Sequence, residues 1–205
     1  MSVTLNGWPK NLKWSDFTRT TTKAGDWDAQ TAPRREYQYN YQPIGGQFYI
    51  KGVVTVRLNK PATLVKKAFM DSAGDADKQS LLKHEQGHYD IAGLIARDFH
   101  LCLNNIAEST KPAAKARIDA CWDWATAMLN LLDDGDSGLY ERAVNHSRNQ
   151  IGQDRWNRIF EFASYNLDKF TFHHVLGLHI DATLPEAPPE LPRYRVTSYG
   201  EGQCW

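Results

Sequence analysis

Leu81-Leu82-Lys83-His84-Glu85-Gln86-Gly87-His88-Tyr89-Asp90-Ile91 carries a His-Glu-x-x-His core, a spacing that can bind a metal when it lies on a helix. The surrounding residues predict that helix. No proline interrupts Asp77 to Glu108, and Leu81, Ile91, Ile95, Phe99, Cys102 and Ile106 recur at helical spacing on a stripe that includes His84 and His88. Residues four apart on a helix stand one above the other, so both imidazoles can reach one ion at about 2.0–2.1 Å. Glu85 is rotated by about 100° from His84 and can sit beside the ion's open position. Zinc is the ion this pattern suits. It lowers the pKa of a bound water toward about 7, and a neighbouring carboxylate can take that water's proton and hand it to a leaving amine. Two imidazoles and a glutamate on an apolar stripe without an ion would each cost several kcal/mol if buried unpaired.

A catalytic zinc takes three protein ligands and keeps one position for water, so a third ligand must come from outside this helix. The candidates are Glu108, Glu141, His146, His173, His174 and His179. Chain geometry narrows them. The first helix is expected to end near Glu108, a turn covers Ser109 to Lys111, and Pro112 opens a second helix whose inner stripe is Ile118, Cys121, Trp122, Ala125, Met128, Leu129 and Leu132. If the two helices form an antiparallel hairpin folded at 111.5, His88 and His84 lie level with positions 135 and 139. The segment beginning at Gly138 then returns to the metal, which favours His146 as the third ligand and leaves Glu141 as the nearest alternative. Tyr140 is placed to donate a hydrogen bond to a developing oxyanion, and Glu141 to orient a liganding histidine. His100 and Glu108 lie about three turns or more beyond His88. The same fold axis sets Cys102 and Cys121 at one level on inward stripes, compatible with a disulfide or with two buried thiols.

Ahead of the active helix the period changes to two. Tyr37, Tyr39 and Tyr41 alternate, Pro43-Ile44-Gly45-Gly46 reads as a turn, and Phe48, Ile50, Val54, Val56 and Leu58 alternate again, which predicts a β-hairpin. Trp8, Trp14 and Phe17 read as an aromatic cover over the core. A third amphipathic helix carries Ile151, Trp156, Ile159, Phe160 and Ala163, and Phe170 to Ile180 reads as a closing strand or short helix. Residues 183–205 hold Pro185, Pro188, Pro189 and Pro192 and read as an extended tail after a single domain spanning 1–182. Cys204 in that tail reads as a surface thiol.

The 205 residues, 41% of them hydrophobic and 12% aromatic, suffice for one domain with a sizeable core. Basic and acidic residues balance at 24 each, so charge gives no reason to expect nucleic acid or an anionic membrane as partner. The N-terminus lacks a charged segment followed by an apolar core, so export would require a signal not present in this sequence or another route.

The block from Leu81 to Ala92, with Trp14-Ser-Asp-Phe upstream and Tyr140-Glu-x-x-x-x-His146-Ser and Gln153-x-x-Trp156 downstream, resembles the bacterial family called domain of unknown function 922, described as secreted zinc-dependent proteases. The resemblance covers most of residues 10–165. It implies zinc on His84 and His88, Glu85 as general base and acid, a functional place for His146, and a secreted or periplasmic location. Glu141, Val144 and Ser147 depart from that family's downstream pattern.

Together these readings predict an α+β, zincin-like fold, in which an N-terminal antiparallel hairpin packs on a helical bundle carrying the His-Glu-x-x-His helix. The expected activity is zinc-dependent hydrolysis of a peptide bond or a related amide, with peptides, proteins or peptidoglycan as substrates. The alternative is a zinc-stabilised binding or structural module. Glu85 favours the enzyme, because a structural site is closed by four protein ligands and needs no carboxylate beside the metal.

Overall fold

The computed structural model describes residues 2–21, 27–166 and 170–192. Its architecture is mixed α+β. Strand β1 (Val3–Asn6) leads through a helical turn at Trp14–Asp16 into β2 (Thr18–Thr20) and β3 (Ala29–Gln30), followed by the hairpin β4 (Pro33–Ile44) and β5 (Gln47–Leu58). Strand β6 (Leu64–Lys66) and helix α1 (Lys67–Ser72) precede the long helix α2 (Asp75–Asn105). A short strand β7 (Ala107–Glu108) is followed by α3 (Lys111–Asp133), α4 (Leu139–Val144), α5 (Gln150–Tyr165) and α6 (Phe172–His179).

The hairpin has the predicted form. Strands β4 and β5 pair antiparallel from Pro33 opposite Leu58 to Ile44 opposite Gln47, leaving Gly45 and Gly46 as a two-residue turn with φ of 58° and 80°. Two successive positive φ values are what the twist of a tight hairpin requires, and glycine adopts them without strain. Strand β1 joins the other side of β5 in parallel, and β7 pairs with Phe48 and Tyr49 near the hairpin tip. A second, smaller sheet places β6 between β2, parallel, and β3, antiparallel.

Helix α2 runs through the middle of the molecule. Leu94, Ile95, Ala96, Phe99, Cys102 and Leu103 are buried, and so are Arg97 and Asp98 on the same turns. A stripe alone does not describe this helix. The sheet covers one side while α3, α5 and α6 pack around the rest, and a helix enclosed on all sides buries residues all round. The two buried charges are satisfied. Arg97 donates to the carbonyls of Ala163 at 2.9 Å and Phe170 at 3.2 Å, and Asp98 accepts the backbone N–H groups of Phe172 at 3.0 Å and His173 at 2.9 Å, anchoring the start of α6.

The chain leaves α2 at Asn105, a few residues before the expected Glu108, because Ala107 and Glu108 are drawn into the β7 ladder. Thr110 then caps α3, its hydroxyl accepting from Ala113 N–H, with Pro112 in the first turn. The antiparallel packing of α2 on α3 brings Cys102 and Cys121 together as buried free thiols. Contact with Cys121, together with burial, pushes the Cys102 thiol well above its ordinary range.

Two further expectations change and one is resolved. Ile151, expected on the inner stripe of α5, is 83% exposed; it lies five residues before Trp156, out of phase with the buried Trp156, Ile159, Phe160 and Ala163. Of the two forms expected for Phe170 to Ile180, a closing strand or a short helix, the chain takes the helix, α6. The stretch expected to begin a separate tail at 183 is packed on the domain as far as residue 192. Leu191 is buried, Leu184 and Ala187 pack against the core, Glu190 meets Arg117 at 3.2 Å and its carbonyl accepts from Asn105 at 2.9 Å. Cys204 lies outside the described residues.

Candidate metal centre

The predicted pair is assembled by α2 as its spacing requires. His84 and His88 sit one turn apart with their Nε2 atoms 3.2 Å from each other. The third group is Glu141 on α4. Its Oε1 lies 3.0 Å from His84 Nε2 and 2.9 Å from His88 Nε2, completing a nearly equilateral triangle of ligand-type atoms. Ligand atoms around a tetrahedral ion with bonds of about 2.0–2.1 Å stand about 3.3–3.4 Å apart, so the triangle is close to the size an ion needs. The donor set fits too. Two imidazoles and a carboxylate are a recurrent set for catalytic zinc, though the set does not by itself choose among divalent ions.

His146, the expected third ligand, stands one step behind. Its Nδ1 is 3.1 Å from Glu141 Oε2 and its Nε2 is 3.2 Å from Asp136 Oδ1, with the side chain 44% exposed. The displacement has a backbone cause. Helix α4 ends at Val144, and Asn145, His146 and Ser147 follow with φ of 48°, 50° and 67°. This left-handed run turns the chain back over the end of α4 and sets His146 on the outer side of the glutamate. Non-glycine residues in this region cost on the order of 1–3 kcal/mol each and recur near functional sites. The other candidates lie elsewhere: Glu108 pairs with Arg117, His173 bonds the carbonyl of Pro185, and His179 contacts Phe162.

Tyr140 is also not where an oxyanion donor would be. It is fully buried, its hydroxyl donating to the His84 carbonyl at 2.9 Å and accepting from Gln153 Nε2 at 3.0 Å. Its ring stacks on His84 at 5.4 Å and meets His88 edge-on at 5.0 Å. Burial, with the carboxylates of Glu85, Glu141 and Asp133 nearby, holds the phenol well above its usual range and therefore neutral. The residue that admits it is Gly87. A Cβ there would lie 2.1 Å from the Tyr140 oxygen, so the glycine inside the motif is required by packing behind the histidines.

Sequence reasoning missed Asp133 as a site residue. Its Oδ1 accepts from His88 Nδ1 at 2.5 Å, which fixes the tautomer that presents Nε2 to the triangle. Burial opposes the charged form of His88, but Asp133 and then Glu141 outweigh it and hold the imidazole well above its usual pKa. Burial likewise opposes the Glu141 carboxylate, and the two histidines reverse that and depress it strongly. The signal for Asp133 was present in the hairpin arithmetic, which sets position 135 level with His88.

Glu85 is 2% exposed, and its Oε2 has no hydrogen-bond partner among the described residues. The Nδ1 of His84 is likewise buried and unpartnered among them. His84, Glu85 and His88 line a cleft of about 360 Å³ together with Trp27, Gln30, Thr31 and Pro33. The passage from β3 into β4 therefore shares this cleft with the histidines. No helix among the described residues is long and apolar enough to cross a membrane. Compared with known protein families, curated proteins and solved structures, the chain matches none of them.

Proposed function

We propose that this chain is a zinc-dependent, zincin-like metallopeptidase that hydrolyses a peptide bond or a related amide in a peptide, protein or peptidoglycan. The observation that carries the reading is a buried carboxylate with an unpartnered oxygen, Glu85, beside three converging ligand atoms in one cleft. A closed structural site would have no use for that carboxylate. The resemblance to the family of secreted zinc-dependent proteases supports the same reading and is the ground for proposing work outside the cytoplasm.

His84, His88 and Glu141 would hold the ion, which supplies an acidified water and a polarised carbonyl when bound. Glu85 takes the proton of the attacking water and returns it to the leaving nitrogen. Asp133 keeps His88 in the tautomer that offers Nε2. Tyr140 acts from behind: its hydroxyl on the His84 carbonyl ties α4 to the turn of α2 that carries both histidines. An extended substrate would lie along the cleft between α2 and the β3–β4 passage, where main-chain hydrogen bonds bind without demanding a particular sequence.

The test is a peptide-library and peptidoglycan digest by the zinc-loaded protein, wild type against Glu85→Gln. The reading expects cleavage by the wild type and its loss in the variant. A fully loaded wild type that cleaves none of these substrates would instead indicate the binding-module alternative.

A further inference from the structure

We propose that His146 is a positioning residue that keeps Glu141 monodentate, so that the metal retains an open place for water. This rests on the metal-centre reading above. The two oxygens of Glu141 have separate partners. Oε1 faces the histidine nitrogens at 3.0 and 2.9 Å, whereas Oε2 accepts the backbone N–H of His146 at 3.1 Å and lies 3.1 Å from His146 Nδ1. An oxygen that accepts a backbone N–H and has an imidazole nitrogen against it is held on that side and is not free to turn onto the ion. Bringing Oε2 onto the ion as well would mean giving up the backbone hydrogen bond and the imidazole contact at a side chain that is only 6% exposed.

The backbone is shaped for this task. The left-handed run of Asn145, His146 and Ser147 folds the chain back so that a residue five positions after Glu141 brings both its backbone N–H and its imidazole against the carboxylate. No glycine eases this run, although glycine would adopt such φ values at no steric cost. An imidazole on His146 therefore has a use that outweighs the strain, and it touches the ligand's second oxygen rather than the ligand triangle. Asp136 Oδ1, 3.2 Å from His146 Nε2, lies against the ring's other nitrogen.

Three protein ligands with one of them monodentate leave the fourth position of a tetrahedral ion to water; a second oxygen from Glu141 would crowd that position as an added donor and raise the coordination number above four. Cobalt(II) reports this directly, because four-coordinate cobalt absorbs visible light intensely and five- or six-coordinate cobalt weakly. The experiment titrates cobalt(II) alone into wild type and His146→Ala, following stoichiometry, affinity and visible spectrum. The wild type should bind one cobalt per chain with the intense spectrum. His146→Ala should still bind one per chain, about 10–100-fold more weakly, with the bands reduced to those of higher coordination. Should the alanine variant fold poorly by circular dichroism, His146→Gly is measured in its place, since it removes the imidazole and takes positive φ without strain. A variant spectrum as intense as the wild type's would overturn the inference. So would complete loss of cobalt from a folded variant, which would make His146 a ligand. A wild type that binds no cobalt would overturn the metal-centre reading along with this one, and is thereby distinguished from the first two results.

Discussion

His88 Nδ1 donates to Asp133 Oδ1 across 2.5 Å, joining the second turn of the motif on α2 to the last residue of α3. The bond couples the helical hairpin to the centre: whatever holds α3 against α2 also aims His88. Removing the charge while keeping the shape, Asp133→Asn, should lower zinc affinity about 10–100-fold and leave the fold intact. Competition titration against a chromophoric chelator measures this, and unchanged affinity would deny Asp133 its orienting role.

Glu85 lies beside the His84–His88–Glu141 group without joining it. Glu85→Gln should therefore keep stoichiometric zinc while hydrolysis falls by about 10²-fold or more through loss of proton transfer. Retained turnover would take Glu85 out of the chemistry, and loss of zinc would place it among the ligands.

Gly87 meets the Tyr140 hydroxyl where a methyl group would have to stand, 2.1 Å from the oxygen. Gly87→Ala should destabilise the fold by about 1–3 kcal/mol through overpacking, despite alanine's better helix propensity. It should also weaken metal binding, because the displaced ring supports both histidines. Thermal denaturation with and without zinc separates the two effects; a variant more stable than wild type would contradict the packing argument.

The hairpin and the two long helices were readable because each repeats a period over many residues. Tyr37 to Leu58 alternates around a glycine pair, and the α2–α3 fold axis at residue 111 predicted both the Cys102–Cys121 level and the return of the chain to His84 and His88. The third member of the His84–His88–Glu141 group was not readable in the same way. Glu141 and His146 are five residues apart, and the choice between them turns on left-handed backbone at His146 and Ser147 that side-chain propensity does not announce. Tyr140 was misplaced because its position depends on a space left by Gly87 on another helix. The two-residue strand β7 is too short to carry a period.

Residues 183–192 show the same limit, since prolines suggested a tail while Leu191, 2% exposed, and the Glu190–Arg117 pair hold the segment down. Truncation after Asp181 should lower stability by roughly the 1.5–3 kcal/mol of a buried leucine side chain, or more. A truncated protein with the wild-type melting temperature would return the segment to the status of a dispensable tail.

His100 gives a pH signature away from the centre. Burial, only partly offset by its hydrogen bond to the Val3 carbonyl, depresses its folded pKa. The unfolded chain then binds more protons below about pH 6.5, so this contribution to stability is complete above that value and is lost as pH falls through it. The denaturation midpoints of wild type and His100→Gln should diverge between pH 7.5 and pH 5, with the wild type falling more steeply. Parallel pH curves would contradict the assignment.

Zinc stoichiometry in wild type, Glu141→Ala and His146→Ala, measured by mass spectrometry after dialysis against a weak chelator, tests the centre most directly. With His84, His88 and Glu141 as ligands, wild type and His146→Ala each retain one zinc per chain and Glu141→Ala loses it. A wild type without zinc, or a Glu141→Ala protein that holds zinc when His146→Ala does not, would contradict the account.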